Sequence, residues 1–409
     1  MRPCSSTSAP RSEEDGRRTD WGLIDPGAAD AVGTDDDAVL DALVEVEQGL
    51  LRSWGRVLGE PLEAQAGALD ATALDRAILR EGVVRDGVPV VALVPLLRAQ
   101  VEAKGLTADR LHLGATSQDV VDTALVLVSQ RALAAARASL VLTGRSLSSL
   151  ADAERRSLRI GRSLARHGEA STLGVLAAGW LDGVSSAIEA IDRTVFPVQF
   201  GGAVGTGTAA DAAAGSTSGA DDVRAALADL LGLADPGRSW HTERTPALAI
   251  ASTTAAMIAA LGRIAGDITF LSREEVGEVR LAGGGGSSAM PHKQNPVPAV
   301  AVTAAAVEAP ALLQVIASAA IAGDERSPGR WHAEWSSLRR LARLARSSAD
   351  AASRLMSGAE FDRDRAAAVV TQAGAAGERP DRDVLIAASD RIVDAALARF
   401  TRLTDPEPR

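Results

Sequence analysis

The chain has 409 residues, 46% of them hydrophobic and 23% charged, enough for two or three domains around a sizeable core. A formal net charge of −10 argues against duplex nucleic acid and anionic membranes as partners, since both call for a basic surface. Aromatics make up only 3%, which also removes the usual platforms for stacking single-stranded bases.

The single cysteine, Cys4, excludes an intrachain disulfide and fits a reducing, cytoplasmic compartment. Alanine is abundant and tyrosine absent, a composition that favours an all-α fold. Residues 1–20 are polar, charged and proline-bearing, with no apolar stretch of the kind a signal peptide needs, and read as a disordered tail.

From about Asp35 to Glu102 the pattern is helical with short polar breaks, which defines an N-terminal helical domain over residues 21–115. A second helical block starts at Thr116 and carries Val120, Val121, Leu125, Val128 and Leu133. Residues 172–195 read as another helix, closed by Phe196-Pro197. Thr245-Pro246 has the form of an N-cap followed by proline in the first turn, and the helical pattern then runs to about Arg280, roughly 50 Å.

Asn295-Pro296 has the same form, and starts a helix over residues 297–323 whose only charge is Glu308. Glu308, Pro310 and the reliance on alanine argue against a membrane span there. A helix apolar all round is expected to be buried on every side by other helices. After about Asp350 the chain is short and charge-rich, ending in one more helix near 383–400. The central bundle is therefore placed over residues 116–350, and a shortened C-terminal helical segment over 351–409.

Four segments carry chemistry. AGGGGSSAMPHKQNPV (282–297) sets a glycine run beside Ser287, Ser288, Met290, His292, Lys293 and Asn295, ahead of a helix N-terminus that attracts anions. Lys293 is one of only two lysines, with Lys104, in an arginine-rich chain. HLGATSQDVVDT (112–123) joins His112, Thr116 and Ser117 to a T-x-x-D helix cap formed with Asp119. The cap alone accounts for that pattern; the functional alternative is a second carboxylate site.

QFGGAVGTGT (199–208) is a glycine turn whose order is the reverse of the dinucleotide fingerprint, with no strand before it, and Gln199 or the loop amides could touch substrate. DERSPGRWHAEW (324–335) offers Arg326 and Arg330 as carboxylate forks and Trp331 and Trp335 as walls. The five histidines show no zinc spacing, so no metal site is expected, and no G-x-S-x-G elbow supports a hydrolase triad.

GSSAMPHKQNP at 286–296, with HLGATSQDVVDT and the glycine turn in the same order, resembles the fumarase/aspartase superfamily. SQDVVDTAL (117–125), QFGGAVGT (199–206) and ERSPGRWHAEW (325–335) resemble, within it, the bacterial 3-carboxy-cis,cis-muconate cycloisomerases. The resemblance implies a nearly all-helical protomer with a long central helix bundle, a homotetramer with shared active sites, and no cofactor. It implies a small polycarboxylate substrate, lactonised through an aci-carboxylate that preorganised cations and N–H donors stabilise.

On this resemblance Ser288, Lys293, Arg326 and His167 are the catalytic candidates. His112, Thr116, Ser117, Gln199, Ser287, Met290, Asn295 and Arg330 are the substrate-binding ones. Leu164, in GRSLARHGEASTLG (161–174), stands where the lyases carry a catalytic histidine and the cycloisomerases a tryptophan. The alternatives are an adenylosuccinate- or argininosuccinate-type lyase releasing fumarate, and a non-catalytic helical oligomer.

Overall fold

A computed structural model describes residues 25, 33–282, 285–286, 289–290, 293–373 and 381–405. The tail 1–20, Ser287, Ser288 and His292 lie outside the described residues. The fold is all-α, as composition and resemblance both imply.

The N-terminal region contains α1 (Asp36–Leu58), α2 (Glu63–Gly67), α3 (Arg76–Asp86) and α4 (Val90–Ala103). The side chains of Asp35 and Asp75 cap α1 and α3, and Gly59 and Gly87 close them in the left-handed conformation that glycine tolerates best. α1 lies along the central body, burying Leu43, Val46, Leu50, Leu51 and Trp54 against it.

The central bundle is built from α5 (Ser117–Ala153), α6 (Leu173–Arg193), α9 (Thr245–Leu271), α10 (Val297–Ala319) and α11 (Arg330–Ser357). The short helices α7 (Thr208–Ala214) and α8 (Gly219–Leu231) bridge α6 to α9. At 37 residues, α5 is about 56 Å long, and it packs on α1, α6 and α11. Its N-cap is Thr116, as the T-x-x-D pattern predicts. By length and apolarity alone α5, α9 and α10 could each cross a bilayer; here they pack within one bundle.

The structure departs from the sequence reading in five places. α9 ends at Leu271, not near Arg280, because the chain turns at Gly277 (φ 65°). It then enters strand β3 (Val279–Leu281), antiparallel to β4 (Ala359–Phe361). The stretch around Leu164, where no strand was expected, is a hairpin of β1 (Leu158–Ser163) and β2 (Arg166–Thr172).

The caps of α9 and α10 each lie one residue from the expected point, that of α9 earlier and that of α10 later. Arg244 is the α9 N-cap, with Pro246 in its first turn, and Pro296 precedes α10. Among the described residues two helices follow β4 rather than one: α12 (Arg363–Ala373) and α13 (Arg382–Thr404), the latter docked on α6 and α5.

Finally, α10 is not buried on every side within the protomer. Val300, Val307 and Val315 stand exposed along it, and Ile321 just beyond its end.

Candidate active site

Asp119, in the first turn of α5, joins two of the four segments and ties His241 to them. Its Oδ2 accepts hydrogen bonds from the Thr116 and Gly202 N–H groups, both at 2.9 Å. Its Oδ1 accepts from Gly201 N–H at 2.9 Å and meets His241 Nε2 at 2.8 Å. This fully buried carboxylate, with four partners, locks the glycine turn against the start of α5.

The approach is close because neither side has a Cβ in the way. Gly202 sits at φ 71°, and a Cβ there would lie 2.9 Å from the Gly114 carbonyl oxygen. Gly114, at φ 70°, is itself packed against the backbone of Ala210. A side chain at Gly202 would push the glycine turn away from the start of α5, and one at Gly114 would strike Ala210 of α7.

Arg326 arrives from the loop between α10 and α11. Its Nη2 donates to Thr116 Oγ1 at 2.6 Å and to the Ala203 carbonyl at 3.2 Å. Its Nε is buried and has no protein partner among the described residues. A guanidinium that binds two neutral oxygens, pairs with no described carboxylate and keeps one N–H bare is poised for an anionic ligand. Thr116 and Ser117 are half-buried beside it at the N-terminus of α5.

His112 reaches the same corner from the turn before α5, with φ 60° and a side chain 18% exposed. Its Nδ1 lies 2.7 Å from Oε1 of the fully buried Glu47. Burial opposes charge on the imidazole, but the hydrogen bond and charge of Glu47 outweigh it. The His112 pKa is therefore raised, with Asp119 adding to the rise and Arg98 opposing it.

Behind these groups lies a buried ionic cluster. Arg244 Nη1 and Nη2 donate to Asp122 at 2.7 and 3.0 Å, and its Nε and Nη2 donate to Glu334 at 2.5–3.1 Å. Trp331 Nε1 donates to Asp122 Oδ1 at 2.9 Å, and the Arg244 guanidinium lies 4.7 Å over the Trp240 ring. Burial raises the Glu334 pKa; Arg244 pulls it back only in part, and the charge of Asp122 adds to the rise.

The remaining candidates are placed differently. Gln199 is fully buried, with Oε1 accepting from Trp240 N–H and Nε2 near Ser239 Oγ, so its amide serves the scaffold and not an open site. Arg330 is exposed and donates to the Ser318 carbonyl, covering the last turn of α10. Trp335 packs edge-on against Trp331. His167 is exposed on β2, paired in register with Arg162, on a hairpin whose tip is Leu164, 98% exposed.

In the glycine-rich loop, Lys293 and Met290 are exposed. Asn295 is not the N-cap expected of it. Its backbone exchanges two 2.9 Å hydrogen bonds with Gly285, and its side-chain amide donates to the Gly285 and Gly286 carbonyls. Those bonds pinch the loop into a neck at the foot of α10.

Glu47, Asp122, His241, Arg244 and Glu334 are not among the site residues that the motifs point to. The signal available was a charged residue inside an otherwise apolar helical stretch, as with Asp122 in VVDTAL and Glu47 in LVEVEQGLL. Such residues are rarely buried unless paired.

Comparison with known proteins fits this geometry. A lyase family model matches residues 90–310. Nitrosuccinate lyase of Streptomyces davaonensis is 39% identical over 360 residues, which cover 85% of this chain and 76% of that one. The 3-carboxy-cis,cis-muconate cycloisomerase of Pseudomonas aeruginosa is 38% identical over 286 residues, covering 68% of this chain and 61% of that one.

Among solved structures, the 3-carboxy-cis,cis-muconate lactonizing enzyme of Pseudomonas putida superposes with a TM-score of 0.75 at 30% identity, covering 91% of this chain and 87% of that one. The chain belongs to this lyase family and is an enzyme of the fumarase/aspartase superfamily.

Proposed function

We propose that the chain is a cycloisomerase that converts 3-carboxy-cis,cis-muconate into its lactone, 4-carboxymuconolactone. The observation that carries this reading is Arg326, with its bare Nε, at the meeting point of the Thr116, Gly202 and Arg326 segments. Arg326, His112, Thr116 and Ser117 supply cationic and hydroxyl contacts for carboxylates on one side. Lys293 and Asn295 would supply the other as the glycine-rich loop closes.

One substrate carboxylate adds to a ring-closing carbon, and the electron pair moves into the neighbouring carboxylate as an aci-carboxylate. A proton then reaches the adjacent carbon. The nucleophile belongs to the substrate, so the protein folds the substrate, holds its charges and delivers one proton. On the family resemblance Ser288 is the candidate proton donor, with His167 as an auxiliary group if its hairpin meets a neighbouring subunit. Leu164 cannot move a proton, which weighs against a lyase that needs a base at that position.

A homotetramer in the cytoplasm, binding neither nucleic acid nor membrane, completes the proposal. The exposed valines of α10 support assembly, since soluble monomers seldom leave such a row uncovered.

A second reading is favoured by one observation: identity to the nitrosuccinate lyase extends over more of the chain than identity to the P. aeruginosa cycloisomerase. The same cation set would hold a nitro dicarboxylate while nitrite leaves. Two assays on the purified protein separate these readings. Loss of the diene ultraviolet absorbance of 3-carboxy-cis,cis-muconate is the expected result. Nitrite release from nitrosuccinate without that loss overturns the cycloisomerase, and cleavage of adenylosuccinate or argininosuccinate would do the same. Inertness toward all of them overturns both readings of the substrate.

A further inference from the structure

Arg326 is steered by a residue that need never touch substrate. Its guanidinium carbon lies 6.0 Å from the centroid of the Trp331 ring, within reach of a cation–π contact, while Nη2 holds Thr116 and Ala203. Trp331 is buried and cannot turn freely, because its Nε1–H is tied to Asp122 Oδ1. Asp122 is clamped in turn by both Nη atoms of Arg244. Arg244 also grips Glu334, one turn beyond Trp331 on α11. The chain of contacts runs from α11 through α5 and the segment before α9 and back to α11.

A ring that only filled space would not need its N–H held by a buried, charged acceptor. Phenylalanine or leucine would fill the volume without placing a dipole beside an ion cluster. The ring edge meets Trp335 and His332, at centroid distances of 4.7 and 5.1 Å, which restricts tilting as well as rotation.

We propose that Trp331 is a positioning residue. Asp122 fixes the plane of the indole, and the indole face fixes the Arg326 guanidinium so that its bare Nε edge is presented to a substrate carboxylate. The kinetic consequence rests on the reading of Arg326 as a carboxylate holder; the geometric consequence does not.

Trp331→Phe keeps an aromatic face and removes the N–H tether. A crystal structure of that variant is expected to show Arg326 swung away from Thr116. KM for 3-carboxy-cis,cis-muconate should rise about tenfold while kcat changes less than about threefold, the pattern of lost ground-state binding. In an Arg326→Lys background the same substitution should add less than about twofold to KM, because the group it orients is already gone.

Arg326 still seated on Thr116 in the Trp331→Phe crystal overturns the inference. An equal KM rise in both backgrounds also overturns it, since that marks a general packing defect. If Arg326→Lys alone leaves KM unchanged, the carboxylate-holding reading falls, and the crystal structure remains as the test of the positioning.

Discussion

Glu47 Oε1 stands 2.7 Å from His112 Nδ1, and the glutamate is fully buried while the histidine keeps one edge toward solvent. The pair joins α1 to the turn before α5 and raises the His112 pKa above its ordinary 6.5. A group whose folded pKa is raised contributes stability that is fully present below its unfolded pKa. That stability is lost as pH rises through the folded pKa.

Glu47→Gln should therefore lose on the order of 1–3 kcal/mol relative to the native chain at pH 5.5, with the gap narrowing above neutrality. Urea denaturation at several pH values, with an NMR titration of the imidazole, checks this. A gap independent of pH would mean that His112 does not carry the charge assigned to it.

Asp119 has no spare lone pairs for a ligand, so its part is architectural. Asp119→Asn turns an amide N–H₂ toward backbone donors that currently find an acceptor. It should cost about 2–4 kcal/mol, since buried donors are left unpaired. Equilibrium unfolding measures the cost. A variant as stable as the native chain would show that the glycine turn is held by other means.

Lys293 lies exposed in the glycine-rich loop, so removing its charge should leave the fold alone. Lys293→Met is expected to lower turnover by at least about a hundredfold, from the loss of a cation aimed at developing negative charge. Its melting temperature should stay within about 2 °C of the native value. Near-native turnover would take Lys293 out of the reaction.

Val307 is 76% exposed midway along α10. If that face is the contact between copies, Val307→Glu should shift the protein to a smaller species on size-exclusion chromatography with light scattering. Turnover should fall with assembly if sites are shared. An unchanged mass would place the subunit contact elsewhere.

Much of the architecture was legible because it follows helical periodicity and capping. The start of α5 is set by Thr116 and Asp119, and the span of α6 by Thr172 at its head and Phe196-Pro197 just beyond its end. The β1–β2 hairpin was not legible, for a physical reason. Its two-residue tip, Leu164-Ala165, adopts φ of 48° and 60°, where Asn-Gly or Gly would be the expected signal. β1 is mostly half-buried and β2 is exposed along its first four residues, so neither shows the alternation that marks a sheet with one buried face.

The site divides in the same way. Arg326 reaches Thr116, beside Ser117 at the start of α5, while His112 is held by Glu47 in the turn before it. Gln199 and Arg330 carried equally suggestive sequence contexts, yet their polar atoms are occupied by Trp240, Ser239 and Ser318. The buried partners Asp122, Arg244 and Glu334 come from three separate segments, and only the fold brings them together.

The contact between Gly202 and the Gly114 carbonyl has a consequence for how such a site can change. Two backbones too close for a Cβ on Gly202 form a wall whose position is hard to tune by mutation. A side chain on Gly202 would strike the Gly114 carbonyl, one on Gly114 would strike Ala210, and neither glycine can become smaller. New substrate preferences must therefore arise on the opposite bank, from the Arg326 loop and the glycine-rich segment, while the Gly114–Gly202 side stays as it is.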